Sequence, residues 1–278
     1  MAELGEGLPA VAFIGAGSMG GAILQGLVAS GMPVRGGIRA VNRSEEKAAA
    51  LRGPGVLSLS YETEDDATER VLAGAKLVVL GVKPAGIPDL LDEIGPMLDP
   101  DAVVVSIAAG VTTTRMEALV PNAVVRTMPN TPSTVGRGVT GIAAGSRATA
   151  SVIALVSRLF ETVGTVLVLP ESQIDALSAI SGSGPAYVYL LVEQLAEAAR
   201  RLGFSDEDAL ALAAGTFVGA GALLEASGED PAELRRRVTS PKGTTERAIA
   251  VLAEADLAGL FERAAEAAIA RARELAAG

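Results

Sequence analysis

Short apolar, β-branched runs alternate with amphipathic stretches from residue 10 to about residue 170. No other feature restricts the fold as strongly. AVAFIG (Ala10–Gly15), GIRAV (Gly37–Val41), KLVVLGV (Lys76–Val82), AVVVSIA (Ala102–Ala108) and NAVVRT (Asn122–Thr127) read as strands. They are apolar throughout, as strands of a parallel sheet covered on both faces are. MGGAILQGLVASG (Met19–Gly31) reads as a helix stopped by glycine. SEEKAAALR (Ser44–Arg52) reads as a helix with a serine cap and an acidic first turn. VTGIAAG (Val139–Gly145) and VGTVLVL (Val163–Leu169) add strands on either side of a further helix. The alternation predicts an α/β domain over residues 1–170, with a doubly wound, mainly parallel sheet of the Rossmann-like kind.

After Pro170 the pattern changes to helices only. They are expected at Pro185–Leu202, Ser205–Ala226, Pro231–Val238, Thr244–Ala253 and Leu257–Ala276, making residues 171–278 an all-helical second domain. The uncharged run Ala209–Leu224 falls short of the ~20 apolar residues of a spanning helix, so it predicts a buried helix and no membrane partner. Helices apolar all round are normally covered. This Ala- and Gly-rich half therefore predicts a homo-oligomer with the helices at the interface. The segment Met1–Pro9 carries Glu3 and Glu6 without a basic stretch, unlike a signal peptide, and a cytoplasmic protein is expected.

Composition narrows the chemistry. The chain of 278 residues has 33 acidic and 23 basic side chains, a formal charge of −10, 3% aromatics and no Trp. A nucleic-acid partner is not expected from such a surface. There is no Cys and no His. Thiol nucleophiles, Ser-His-Asp triads and the commonest transition-metal ligands are therefore excluded, and no metal is expected. Chemistry must run on a cofactor, hydroxyls, carboxylates, Lys, Arg and backbone amides.

Gly15-Ala16-Gly17-Ser18-Met19-Gly20 matches G-x-G-x-x-G directly after a strand and at the opening of a helix. Gly15 allows the tight turn, Gly17 lets the backbone approach a pyrophosphate, and Gly20 lets helix and strand pack closely. The second strand ends Asn42-Arg43-Ser44, where NAD sites usually carry a carboxylate. Arg43 can pair with a 2′-phosphate, and Asn42 and Ser44 can donate to it, so NADPH is favoured and NADH remains possible. Lys83 and Pro84 follow the next central strand, where ligands sit in such sheets. Lys83 reads either as a cofactor contact or as a solvated lysine. Ser106–Gly110 ends the following strand in small residues, which suit either close approach by a nicotinamide ribose or simple packing.

Several segments together resemble one family. Besides the glycine turn they are Val82–Pro84 (VKP), Ala108–Val111 (AAGV), Arg126–Pro132 (RTMPNTP), Ser181–Tyr189 (SGSGPAYVY) and Val238–Ile249 (VTSPKGTTERAI). In this order they resemble the pyrroline-5-carboxylate reductases, NAD(P)H-dependent enzymes that make L-proline from 1-pyrroline-5-carboxylate in the last step of proline biosynthesis. The resemblance implies a helical dimerisation domain, active sites shared between subunits, and in some members a decamer of five dimers. It implies cofactor contacts at Ile14, Gly15, Ala16, Gly17, Ser18, Met19, Asn42, Arg43, Ser44, Val82, Lys83 and Ala109. Thr68 stands where the family commonly has a cofactor-contacting Asn. By resemblance the Ser240–Thr245 loop takes the substrate. Its carboxylate meets the Ser240 hydroxyl and the amides of Thr244 and Thr245, and the catalytic Thr245 hydroxyl lies near the imine nitrogen. The family often has Gly-Gly where this chain has Lys242-Gly243, so Lys242 either adds a charge near the carboxylate or faces solvent.

The residues alone support the same reaction. An imine nitrogen is basic enough to be protonated before hydride arrives, so no strong general acid is required, and Thr245 or water can relay the proton. Taken alone, SPKGTT also reads as a helix-capping turn. SGSGPAY reads as a flexible loop or as small residues allowing close approach. MPNTP reads as a structural turn or as a site wall, with Asn130 a donor near the cofactor. A β-hydroxyacid dehydrogenase would need a Lys on the helix after the sheet, and residues 171–241 contain none. A deazaflavin-dependent NADP reductase would share only the first domain, and a non-catalytic NADPH sensor would not need SPKGTT.

Overall fold

The computed structural model describes residues 7–277. Glu3 and Glu6, on which the reading of the N-terminus rests, lie outside the described residues. The chain divides into two compact units. The first contains everything described up to Gly182 together with the end of the chain from Ala268, and the second is Ser183–Ala267.

The first unit runs β1 (Val11–Ile14), α1 (Ser18–Ala29), β2 (Ile38–Asn42), α2 (Glu45–Ala49), β3 (Val56–Ser60), α3 (Ala67–Leu72), β4 (Leu77–Leu80), α4 (Ile87–Ile94), β5 (Val103–Ser106), α5 (Thr113–Glu117), β6 (Ala123–Met128), β7 (Gly138–Ala144), α6 (Ala150–Glu161), β8 (Gly164–Val168) and α7 (Ile174–Leu177). The strands form one eight-stranded sheet in the order β3-β2-β1-β4-β5-β6-β7-β8. Every pair is parallel except β6–β7. Only a short 3-10 turn, Thr131–Val135, joins those two strands. A parallel crossover needs a dozen or more residues and usually a helix, so they pair antiparallel. Where α6 supplies a crossover, β7 and β8 are parallel.

Alternate residues of each central strand feed two separate cores. Ala12, Ile14, Val78, Leu80 and Val104 face Val71 of α3, Leu91 of α4 and Met116 of α5. Val11, Phe13, Leu77, Val79 and Val105 face Ile23 and Leu27 of α1 and Leu159 and Phe160 of α6. That two-sided burial is why these strands carry no polar alternation. The structure adds β3 to the strands predicted above. Its sequence, VLSLS, mixes serines into an edge strand, and Leu57 is exposed. Its Leu-Ser alternation does not report a core-facing side, because Ser58 and Ser60 are buried along with Leu59.

The second unit holds α8 (Gly184–Arg201), α9 (Asp206–Ser227), α10 (Pro231–Arg237), α11 (Thr244–Ala253) and the start of α12 (Leu257–Ala277). Ser205 caps α9, its Oγ accepting from Asp208 N at 3.1 Å, and Gly228 ends the helix in the left-handed region. One expectation fails. The Ala209–Leu224 helix is not buried in the single chain, for only Ala209 and Ala213 of α9 are. Among the described residues α9 is the one helix long and apolar enough to cross a membrane by length and composition. It is longer than its uncharged run because Asp206–Asp208 and Glu225 join the helix.

Candidate functional site

The tight turn after β1 is built as its glycines require. Gly15 has φ +80°, a conformation L side chains rarely adopt. A Cβ on Gly81, at the end of β4, would overlap the Gly15 carbonyl oxygen, so the ends of β1 and β4 can approach only with glycine there. Gly17 differs. Its φ is −72°, and a Cβ there would meet nothing within 4 Å. Its Cα faces open space, in front of the N-terminus of α1.

That space belongs to a cavity of about 770 Å³ at the C-terminal ends of β1, β2 and β4. Ile14, Gly15, Gly17, Asn42, Arg43, Val82 and Lys83 all line it, together with Lys47, Tyr61, Leu90 and Glu93. Open α/β sheets bind ligands at this position. The wall carries an excess of positive charge, because Arg43, Lys47 and Lys83 make no ion pair or side-chain hydrogen bond with any described residue and Glu93 is the one carboxylate in the lining. Acidic groups near the end of β2 are turned to other work. Glu45 pairs with Arg52 at 2.5 Å, and Glu62 accepts from the Glu45 amide at 2.9 Å. The Arg52 guanidinium beside Glu45 lowers the carboxyl pKa from its ordinary value. Asn42 is 3% exposed, and its Nδ2 has no hydrogen-bond partner. A buried donor left unmade costs about 1–3 kcal/mol, so this wall is built to meet an acceptor on a ligand. Open glycine backbone, an orphaned amide and free cations fit a phosphorylated dinucleotide.

The remaining predicted cofactor residues stand elsewhere. Ala16 and Ser18 line a smaller adjoining hollow of about 280 Å³, which shares Gly17 and Lys47 with the first. Met19 packs against the sheet core. Ser44 is the N-cap residue of α2, but its side chain does not cap the helix. Thr68 is buried and does not line the cavity, although its hydroxyl donates to the Tyr61 phenol, which does, at 3.1 Å. Pro84 opens an exposed 3-10 turn, and Ala109 is exposed after β5. Both ends of the buried Asn130 amide are used internally. Nδ2 donates to Ser181 O at 2.9 Å, and Oδ1 accepts from Val139 N at 2.8 Å. The MPNTP turn is thereby tied to the start of SGSGPAY and to β7. Arg126, from the same motif, is buried beneath it. It donates to Asp175 Oδ1 at 2.7 Å and lies 3.5 Å from Glu171, whose carboxylate also accepts from the Thr113 amide and hydroxyl.

Lys47 and Tyr61 are cavity residues that the motif reading passes over. Lys47 had a legible signal, being one helical turn after Arg43. Tyr61 did not, because it follows the unmarked strand β3.

In the second unit, Gly243 is the N-cap of α11, with Thr244 as the first helical residue. The threonines therefore do not cap, and their amides stand in the first turn, where the helix gives them no partner. The loop before them is held tightly. Gly243 N donates to Ser240 O at 2.9 Å, and Lys242 N donates to Glu246 Oε2 at 2.9 Å. Lys242 takes φ +62° and is exposed. Ser240 is exposed and Thr245 half-buried. The loop thus offers two hydroxyls and adjacent free amides at a helix start, which suits a carboxylate.

Comparison with known proteins bears on both units. A family model described as pyrroline-5-carboxylate reductase dimerisation matches residues 171–275, and one described as NADP oxidoreductase, coenzyme F420-dependent, matches residues 10–110. The pyrroline-5-carboxylate reductase of Pseudomonas aeruginosa is 40% identical over 96% of this chain and 97% of its own. That of Corynebacterium melassecola is 42% identical over 95% and 98%. The solved pyrroline-5-carboxylate reductase of Coxiella burnetii has a TM-score of 0.88 at 36% identity, covering 97% of this chain and 98% of its own. The Plasmodium falciparum pyrroline carboxylate reductase, solved with NADP bound, has a TM-score of 0.79 at 26% identity, covering 98% and 99%. The dimerisation model spans the half that carries the uncovered α9 and supports self-association of the chain. With a dinucleotide-type cavity in one unit, a carboxylate-type loop in the other and such relatives along the whole length, the chain belongs to the pyrroline-5-carboxylate reductase family.

Proposed function

We propose that the chain reduces 1-pyrroline-5-carboxylate to L-proline with NADPH as the preferred reductant and NADH as a poorer one. The observation that carries this reading is the cavity at the strand ends, where the open backbone of Gly17 and the orphaned Asn42 amide share a wall with unpaired cations. Arg43 and Lys47 suit a 2′-phosphate, which favours NADPH. Residues 1–170 carry the dinucleotide, and residues 171–278 carry self-association and substrate binding.

The bound nicotinamide supplies the hydride. The chain's own residues hold and polarise. The Thr244 and Thr245 amides and the Ser240 hydroxyl hold the substrate carboxylate, with Gly243 keeping the loop close to Ser240. The imine nitrogen takes its proton from water or through the Thr245 hydroxyl, so the lack of His and Cys is no obstacle. The minimal assembly is a dimer through the helical half, with a decamer of five dimers as the larger alternative. The proposed compartment is the cytoplasm, since a chain without Cys needs no oxidising one.

The test follows loss of reduced-nicotinamide absorbance with 1-pyrroline-5-carboxylate, using NADPH and NADH in parallel. Rapid oxidation with proline as product, faster with NADPH, is expected. No oxidation by protein that binds NADPH would overturn the assignment.

A further inference from the structure

We propose that Tyr61 is the surface on which the adenine of the cofactor stacks, and that Thr68 positions the Tyr61 ring through its hydroxyl. This rests on the dinucleotide reading above and extends it to the adenosine end. Tyr61 is the one aromatic among the described residues lining the cavity. The residue is 45% exposed. Its place in the wall is fixed twice. The Tyr61 amide donates to Asn42 O at 3.0 Å, tying its backbone to the end of β2. The Thr68 hydroxyl, on the buried face of α3, donates to the phenol oxygen at 3.1 Å.

The two observations at this wall are independent. Asn42 holds a buried donor with no acceptor, which calls for a polar group of a ligand there. Beside it, the half-exposed Tyr61 lines the same cavity, and an aromatic side chain in a wall suits a flat apolar group. A nucleoside carries both, a hydroxylated sugar joined to a base, and every base offers a face to stack on. Arg43 and Lys47 in the same lining suit the phosphate on that sugar. Thr68 therefore acts through Tyr61 rather than by touching the cofactor, which explains how a buried threonine serves a site it does not line.

The experiment titrates NADPH and 2′,5′-ADP, which has the adenosine end but no nicotinamide, into the parent, Y61L, Y61F, T68V and the T68V/Y61F pair. Y61L is expected to weaken both ligands about tenfold, the size of a lost base–aromatic stack. Y61F and T68V should each weaken them a few-fold, and the pair no more than either alone, because each removes the same hydrogen bond. A spectroscopic signature separates this from general loosening. The chain has no Trp and three Tyr, and the other two, Tyr187 and Tyr189, lie on α8. Binding of 2′,5′-ADP should quench part of the tyrosine emission in the parent and none in Y61F, which keeps the ring and the fold. Unchanged affinity in Y61L, additive losses in the pair, or a quench that survives in Y61F would overturn the proposal. Failure of the parent to bind NADPH would overturn the dinucleotide reading itself.

Discussion

Replacing Gly17 with Ala separates cofactor binding from folding. At φ −72° an Ala is conformationally acceptable, and its methyl would meet nothing within 4 Å. Removing glycine where the geometry permits stabilises by about 0.4–1 kcal/mol through the unfolded chain. Gly17 is also the N-cap of α1, where Ala is the poorer residue by a comparable amount, so the melting temperature should stay within roughly 2 °C of the parent. On the proposed reading, the same methyl enters the space where a pyrophosphate would meet backbone amides. Losing one charge-assisted hydrogen bond costs about 1.5–3 kcal/mol, which weakens NADPH about 10- to 150-fold. Gly81→Ala supplies the contrast. Its Cβ would overlap the Gly15 carbonyl oxygen, so the strand ends must part, at about 1–3 kcal/mol. Calorimetric NADPH titration and thermal melts of both variants form the assay. The reasoning is refuted if Gly17→Ala binds NADPH within twofold of the parent, or melts several degrees lower.

Arg43→Ala should lower the NADPH-over-NADH preference in kcat/KM about tenfold, as expected for one charged partner of the 2′-phosphate; an unchanged ratio assigns that phosphate to other groups. Thr245→Ala should lower turnover about 100-fold if its hydroxyl relays the proton, with NADPH affinity within twofold of the parent by titration. Arg126→Met strips the cation from Asp175 and Glu171, and urea unfolding should register a loss of about 3 kcal/mol. Glu233, bonded first by Arg236 and then by Arg237, has its pKa lowered from 4.5 to about 2. A depressed carboxylate contributes stability above its unfolded value and loses it as pH falls, so melts between pH 4.5 and 2 should decline less steeply for Glu233→Gln than for the parent.

Much of the site was legible in the sequence because it depends on local backbone. The glycine turn sits on consecutive residues, and its meaning follows from the strand before it and the helix after it. The Ser240–Thr245 loop is likewise contiguous, and it opens α11 with Gly243 as the N-cap and Thr244 as the first helical residue. What was not legible depended on residues distant in the chain. Tyr61 enters the cavity because β3 pairs with β2 and brings it beside Asn42. Asn130 is also decided at a distance, because Ser181 and Val139 hold its amide in place and leave one Nδ2 hydrogen unused.

The sequence by itself determined the strand–helix alternation, the two-sided burial of the sheet, the phosphate-type turn and the exclusion of His and Cys chemistry. Each follows from residue type at short spacing. Only the tertiary structure decided that β6 and β7 run antiparallel, that Thr68 reaches the cavity through Tyr61, and that α9 stays uncovered on a single chain. Periodicity records whether a residue prefers to be buried. Which surface buries it is set by contacts between segments far apart in the chain, and for α9 the single chain supplies no such surface beyond Ala209 and Ala213.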